Sequence, residues 1–136
     1  MLLSLIVTSF ALHYTKLFSQ KIELKKDIIT IDGKDVFSFK KSDGEISIYK
    51  LNTKEELIFI RHNNNGTPGQ PLNGDDYNNI NFISLKLKME TKTWHLRWKS
   101  TIAWLYENGV ITIDGEVNAE KVSLFIEKYN ENLSGK

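Results

Sequence analysis

KIELKKDIITIDGKDVFSFKKSDGEISIYKLNTKEELIFIR, residues 21–61, is a series of short apolar runs cut by turn residues. Ile22 and Leu24 alternate with charges, and Ile28–Ile31 is a β-branched run broken only by a threonine that is itself β-branched. Asp32-Gly33 follows, then Val36–Phe39, Asp43-Gly44, Ile46–Leu51 and Leu57–Ile60. Asp-Gly between alternating apolar runs is a strong hairpin signal, because a two-residue turn asks for positive φ and these residues tolerate it. The stretch therefore predicts an antiparallel meander of about four strands. Phe37 and Phe39 share one face of a strand, and Ile46 and Ile48 one face of the next.

Working outward, residues 62–79 (HNNNGTPGQPLNGDDYNN) hold six Asn, three Gly and both prolines of the chain. This composition predicts a long polar loop with almost nothing for a core, and loops of such length tend to carry contacts. From Ile80 to Met89, Ile83, Leu85, Leu87 and Met89 alternate with polar residues, which predicts one more half-buried strand. The last third changes period. Trp94, Trp98, Ile102, Leu105 and Tyr106 recur at helical spacing, and Asn108-Gly109 is a stop signal. A second helix is expected after Asn118, an N-cap residue, with Glu120 in its first turn and a stripe of Val122, Phe125, Ile126 and Tyr129. The fold class is α+β: an antiparallel β-meander of about five strands packed on two C-terminal helices, as one domain over residues 20–136. Ile29–Gly33 and Ile111–Gly115 share the sequence ITIDG, one ahead of a strand and one ahead of a helix; shared turn chemistry explains this better than duplication.

Upstream of the meander, Met1–Leu12 carries no charge and Lys16 is the one charge before Gln20. About 12 apolar residues fall short of the roughly 20 that a bilayer crossing takes. Residues 1–19 are expected to be a signal peptide cut after Ser19, with a retained membrane anchor as the alternative. The absence of a basic residue before the apolar run and the bulky Leu17 depart from the usual pattern. The expected location is the periplasm or cell surface. The whole chain balances 18 basic against 17 acidic residues, and removal of Lys16 would bring the two counts level. Such a balance offers no nucleic-acid signature. With no cysteine, disulfide scaffolds, thiolate metal sites and thiol catalysis are excluded.

An apolar leader ending in Ser19-Gln20, the segment KIELKKDIITIDGKDVFSFKK at 21–41 and the close AWLYENGVITIDGEVNAEKVSLFIEKY at 103–129 make the chain similar to small exported proteins of the Bacteroidota. In these an early ITIDGK-like hairpin, a β-rich middle and a closing helix pair follow a leader. The resemblance implies an envelope or extracellular location and an α+β fold. It carries over no catalytic residue.

Chemistry-bearing patterns are sparse. His13, His62 and His95 share no metal-ligand spacing, no G-x-S-x-G elbow or phosphate-cradling glycine pattern occurs, and Asp75-Asp76 fits no standard calcium loop. No cofactor or metal is implied. Trp94, Trp98 and Trp104 are interleaved with Lys92, Arg97 and Lys99, an arrangement that serves sugar, headgroup or single-strand binding when exposed. Helical spacing places Trp94 and Trp98 in the core instead and leaves Trp104, off that stripe, as the partly exposed aromatic. The expected function is a non-catalytic accessory subunit that binds another envelope protein, with membrane contact only if the leader is retained. Asn64, Asn65, Asp75, Asp76 and Tyr77 of the polar loop are its expected contacts. Two alternatives stay open: a small apolar-ligand carrier with a pocket of Phe37, Phe39, Trp98 and Phe125 between sheet and helices, and a hydrolase with an unrecognised site.

Overall fold

The computed structural model describes residues 21–63, 76–92 and 97–135. Residues 1–19, with the expected signal peptide, lie outside it, as do Asn64, Asn65, Asp75, Trp94 and His95. The fold is α+β, with seven strands in one antiparallel sheet whose spatial order is the chain order. The strands are β1 (Ile22–Lys25), β2 (Ile28–Ile31), β3 (Lys34–Ser42), β4 (Glu45–Lys50), β5 (Glu56–Asn63), β6 (Tyr77–Phe82) and β7 (Leu87–Thr91). Helices α1 (Trp98–Glu107) and α2 (Ala119–Tyr129) close the chain.

Seven strands replace the expected five for two local reasons. Lys26 and Asp27 both take positive φ (49° and 67°), so a two-residue turn without glycine separates β1 from β2 and adds a strand to the meander. The apolar alternation over 80–89 is not one strand. The chain makes a 3₁₀ turn at Ile83–Leu85, left through Lys86 at φ 57°, and reverses into β7. The residues facing inward are then Ile80 and Phe82 on one side and Met89 and Thr91 on the other, while Leu87 is exposed. The polar stretch 62–79 is also shorter as a loop than its composition suggests. Strand β5 runs on to Asn63 and β6 begins at Tyr77, because six cross-strand pairs from Ile58↔Phe82 to Asn63↔Tyr77 extend the ladder into it. Asp76 and Asn78 are buried, contrary to the expectation that this stretch stays out of the core.

Turns and caps follow the local chemistry. Asp32 and Gly33 both take positive φ (50° and 82°); at Asp43-Gly44 only the glycine does (76°). Helix α1 ends in a Schellman arrangement, with Val110 N–H donating to Leu105 O and Gly109 N–H to Tyr106 O, both at 3.0 Å. Asn118 caps α2, its Oδ1 accepting from Lys121 N–H at 3.0 Å. The second ITIDG copy lies against the start of β3, which follows the first copy. Lys34 Nζ lies 4.0 Å from Asp114 Oδ1, and a Cβ at Gly115 would come within 3.1 Å of Val36 O. A bulge between Ile29 and Thr30 makes Val36 the extra residue of β3, and Val36 and Phe37 are both buried.

The core joins the inward rows of the sheet to one broad face of the helix pair. Phe125 stands edge-on to Phe82 at 6.4 Å, stacks at an angle on Trp104 at 4.6 Å and lies 5.0 Å from Tyr129. Helix α1 lies along β1. Beyond α2 the chain follows β7: Glu131 N–H donates to Glu90 O at 2.8 Å and Glu90 N–H to Asn130 Oδ1 at 2.9 Å. Both outer strands are thus covered, the usual protection of exposed ladder groups.

Candidate functional site

Side chains alternate along each strand, so an inward apolar row ends on whichever residue has the same parity. At one end of the sheet these rows end in polar residues. The row Phe37, Phe39 leads to Lys41; Ile58, Ile60 leads to His62; Phe82, Ile80 leads to Asn78; and Met89 leads to Thr91. Antiparallel order brings the end of β1, the β3–β4 turn, the end of β5 and the start of β6 to this same end, where α1 also begins. The result is a mouth, an open cleft of about 600 Å³. It is lined by Glu23, Leu24 and Lys25 of β1, Lys41 of β3, Gly44 of the turn, His62, Asn78, and Arg97, Trp98, Lys99 and Thr101 of α1 and its cap.

His62 sits between two oxygens. Its Nδ1 is 3.1 Å from Asn78 Oδ1 and its Nε2 is 3.4 Å from Asp76 Oδ2. Around them the charge is mostly positive. Glu23 is bridged by Lys21 at 3.2 Å and Lys25 at 3.1 Å. The Lys25 hydrogen bond, then that of Lys21, holds its carboxyl below the ordinary carboxylate range. Lys41, Arg97 and Lys99 form no ion pair among the described residues. The first turn of α1 has no acidic residue, and no side chain caps it. Its free N–H groups add to the positive character of this end.

A second concavity of about 500 Å³ lies on the opposite face of β5, β6 and β7, lined by Phe59, Arg61, Tyr77, Asn79, Asn81 and the chain from Asn130 to Ser134. Two of its three charged residues are engaged, and Lys88 forms no ion pair among the described residues. Arg61 meets Glu45 at 3.1 Å, and Glu90 Oε1 accepts from Ser134 N–H at 3.0 Å and Oγ at 2.9 Å. Asn130 Nδ2 donates to Asn132 Oδ1 at 3.1 Å.

The structure divides the expected site residues. Asp76 belongs beside His62 at the mouth, and Tyr77 points to the opposite face, where its hydroxyl accepts from Asn63 Nδ2 at 3.0 Å. Asn64, Asn65 and Asp75 lie outside the described residues. Trp104 is not the exposed aromatic: it is 9 % exposed, because α2 also packs on the sheet and its Phe125 and Tyr129 cover the side of α1 that carries Trp104. Trp104 meets Phe125 and, at 4.9 Å, Tyr129. Trp98, expected in the core, is half-buried and walls the mouth instead. Phe37, Phe39 and Phe125 of the expected pocket belong to the packed core. His62, Asn78 and Lys41 were not expected at a site; continuing each inward row by two residues would have found them.

Among the described residues no group of three His, Asp or Glu side chains is placed to hold a metal ion. Within the same residues no helix is long and apolar enough to cross a membrane. No protein-family model, no curated protein and no solved structure matches the chain.

Proposed function

We propose that the protein is a non-catalytic binding module of the bacterial envelope, an accessory subunit that holds another envelope protein at the mouth of its sheet. One observation carries this: residues of β1, β3, β5, β6 and α1 converge on a single cleft within the size range of binding sites, and three of its cations form no ion pair among the described residues. The non-catalytic reading is supported by His62. Both its ring nitrogens lie beside side-chain oxygens of the fold, Asn78 Oδ1 at 3.1 Å and Asp76 Oδ2 at 3.4 Å, so the ring is engaged within the protein. The envelope location rests on the apolar leader and on the likeness to exported proteins of the Bacteroidota.

Site-specific photocrosslinking in the native cell tests the reading. A photoreactive side chain at Lys25, on the rim of the mouth, should yield one adduct with a second envelope protein. The same group at Lys54, in the β4–β5 turn at the far end, should yield none. Equal adducts from both, or none from Lys25, would reject the mouth as the contact. Intact mass of the purified protein should correspond to a chain starting at Gln20; a mass that includes Met1 would replace export and cleavage with a retained anchor.

A further inference from the structure

We infer that the group held in the mouth is acidic: a peptide segment of the partner that presents carboxylates beside an apolar residue. This rests on the mouth being the contact, and it specifies the chemistry of the occupant. Lys41 extends from the end of β3, and Arg97 and Lys99 from the cap and first turn of α1. They come from two elements, converge on one concavity, and none is ion-paired among the described residues. Of the two acids at this end, Glu23 is bridged by Lys21 and Lys25 and Asp76 is buried against His62, so neither is paired with these three cations. Three like charges held around a cleft repel one another, and an anion between them relieves that repulsion. Arginine also matches a carboxylate with paired donors. Trp98 and Leu24, both half-buried, give the same cleft an apolar wall, which suits a side chain next to the acidic group.

The same observations disfavour the other polyanions. A membrane surface is met by a flat or convex basic face with apolar residues that enter the bilayer. Here the cations surround a recess, and among the described residues the large exposed apolar side chains, Leu87 (39 %) and Leu124 (51 %), lie elsewhere, on β7 and on the outer side of α2. Nucleic acid would call for a basic excess across the surface, and the chain balances 18 basic with 17 acidic residues.

Fluorescence anisotropy with the purified full chain tests this. The probe is a labelled hexapeptide of alternating glutamate and leucine, with a counterpart in which glutamine replaces every glutamate. The acidic peptide should bind at least about tenfold more tightly than the neutral one, with an affinity that falls as salt rises. The variant Lys41→Glu/Arg97→Glu/Lys99→Glu should lose about tenfold or more, and Lys41→Gln/Arg97→Gln/Lys99→Gln should lose part of that while keeping the wild-type circular dichroism spectrum. Lys50→Glu/Lys54→Glu/Lys86→Glu makes the same charge change on exposed residues at the far end and should bind as the wild type does. Equal binding of the two peptides, no binding of the acidic one, or equal loss in the far-end variant would overturn the inference. So would mouth-dependent binding of phosphatidylglycerol vesicles without binding of the peptide. If the peptide arm fails while the Lys25 crosslink persists, the mouth remains the contact and only its acidic occupant is withdrawn. If the peptide binds as expected and the crosslink is absent, the anion site stands and the protein partner falls.

Discussion

The two concavities of this molecule differ in what their charges do. In the groove on the outer face of β5–β7, Arg61 is tied to Glu45 of β4 and Glu90 holds Ser134 of the C-terminal segment, and one cation, Lys88, forms no ion pair among the described residues. In the mouth, Lys41, Arg97 and Lys99 hold nothing among the described residues. Size does not separate the two, at about 500 and 600 Å³. Pairing does. A charge that meets an internal partner has a structural use, whereas a cluster of like charges left open lowers stability slightly and is most simply retained for a ligand.

Both concavities hang on α2, and the largest effect should appear there. Phe125 joins α2 to Phe82 of the sheet and to Trp104 of α1, and it is almost fully buried. Phe125→Ala should lower stability by about 3–5 kcal/mol, the usual range for truncating a buried aromatic. Urea unfolding measures it. A loss below about 1 kcal/mol would show that the helices are peripheral to the core, and the mouth would lose its rigid α1 wall.

The next effect separates the two regions. Glu131 Oε2 accepts from Lys92 N–H at 2.6 Å and from Thr91 Oγ1 at 3.1 Å, fastening the chain after α2 to the edge strand. Glu131→Ala should cost about 1–2 kcal/mol, since charge-assisted hydrogen bonds to a fixed backbone exceed ordinary ones. At the mouth, Lys41→Gln or Lys99→Gln should change stability by no more than about 0.5 kcal/mol. Comparable losses at both places would mean that the mouth cations are structural after all, and the contrast between the regions would collapse.

Much of this organisation is legible in the residues. The Asp-Gly turns, the Asn108-Gly109 stop and the Asn118 cap act through local chemistry, and each is where the sequence places it. What is not legible depends on partners far along the chain. Lys26-Asp27 makes a hairpin turn without glycine because β1 and β2 pair well enough to hold both residues at positive φ. The pattern Ile83, Leu85, Leu87 imitates a strand, and only pairing of β6 with β7 shows that the chain turns back inside it. Trp104 reads as off-stripe on one helix, yet a second helix packs on that side. The mouth was hidden for a related reason. Lys41, His62 and Asn78 each look like loop residues at the end of an apolar run, and the antiparallel ladder gathers them.

The smallest expected effect concerns Glu23, the acid among the residues that line the mouth, and sharpens the contrast within it. Glu23 is exposed enough to exchange freely with solvent, but Lys25 and Lys21 hold its carboxyl below the ordinary range. A carboxyl whose pKa is lower in the folded than in the unfolded chain favours the folded state above the ordinary carboxylate range. That contribution fades as the pH falls through the lowered value. Solvent screening keeps it small, so the carboxyl chemical shift is a better measure than unfolding. Titration by NMR should place Glu23 below an unperturbed glutamate in the wild type. In Lys25→Ala it should return part of the way, and further when Lys21→Ala is added. Raised salt should act in the same direction. If the titration is the same with and without the two lysines, they are not committed to Glu23. They would then count with Lys41, Arg97 and Lys99 as open charges, and the mouth would be more strongly cationic than its ion pairs indicate.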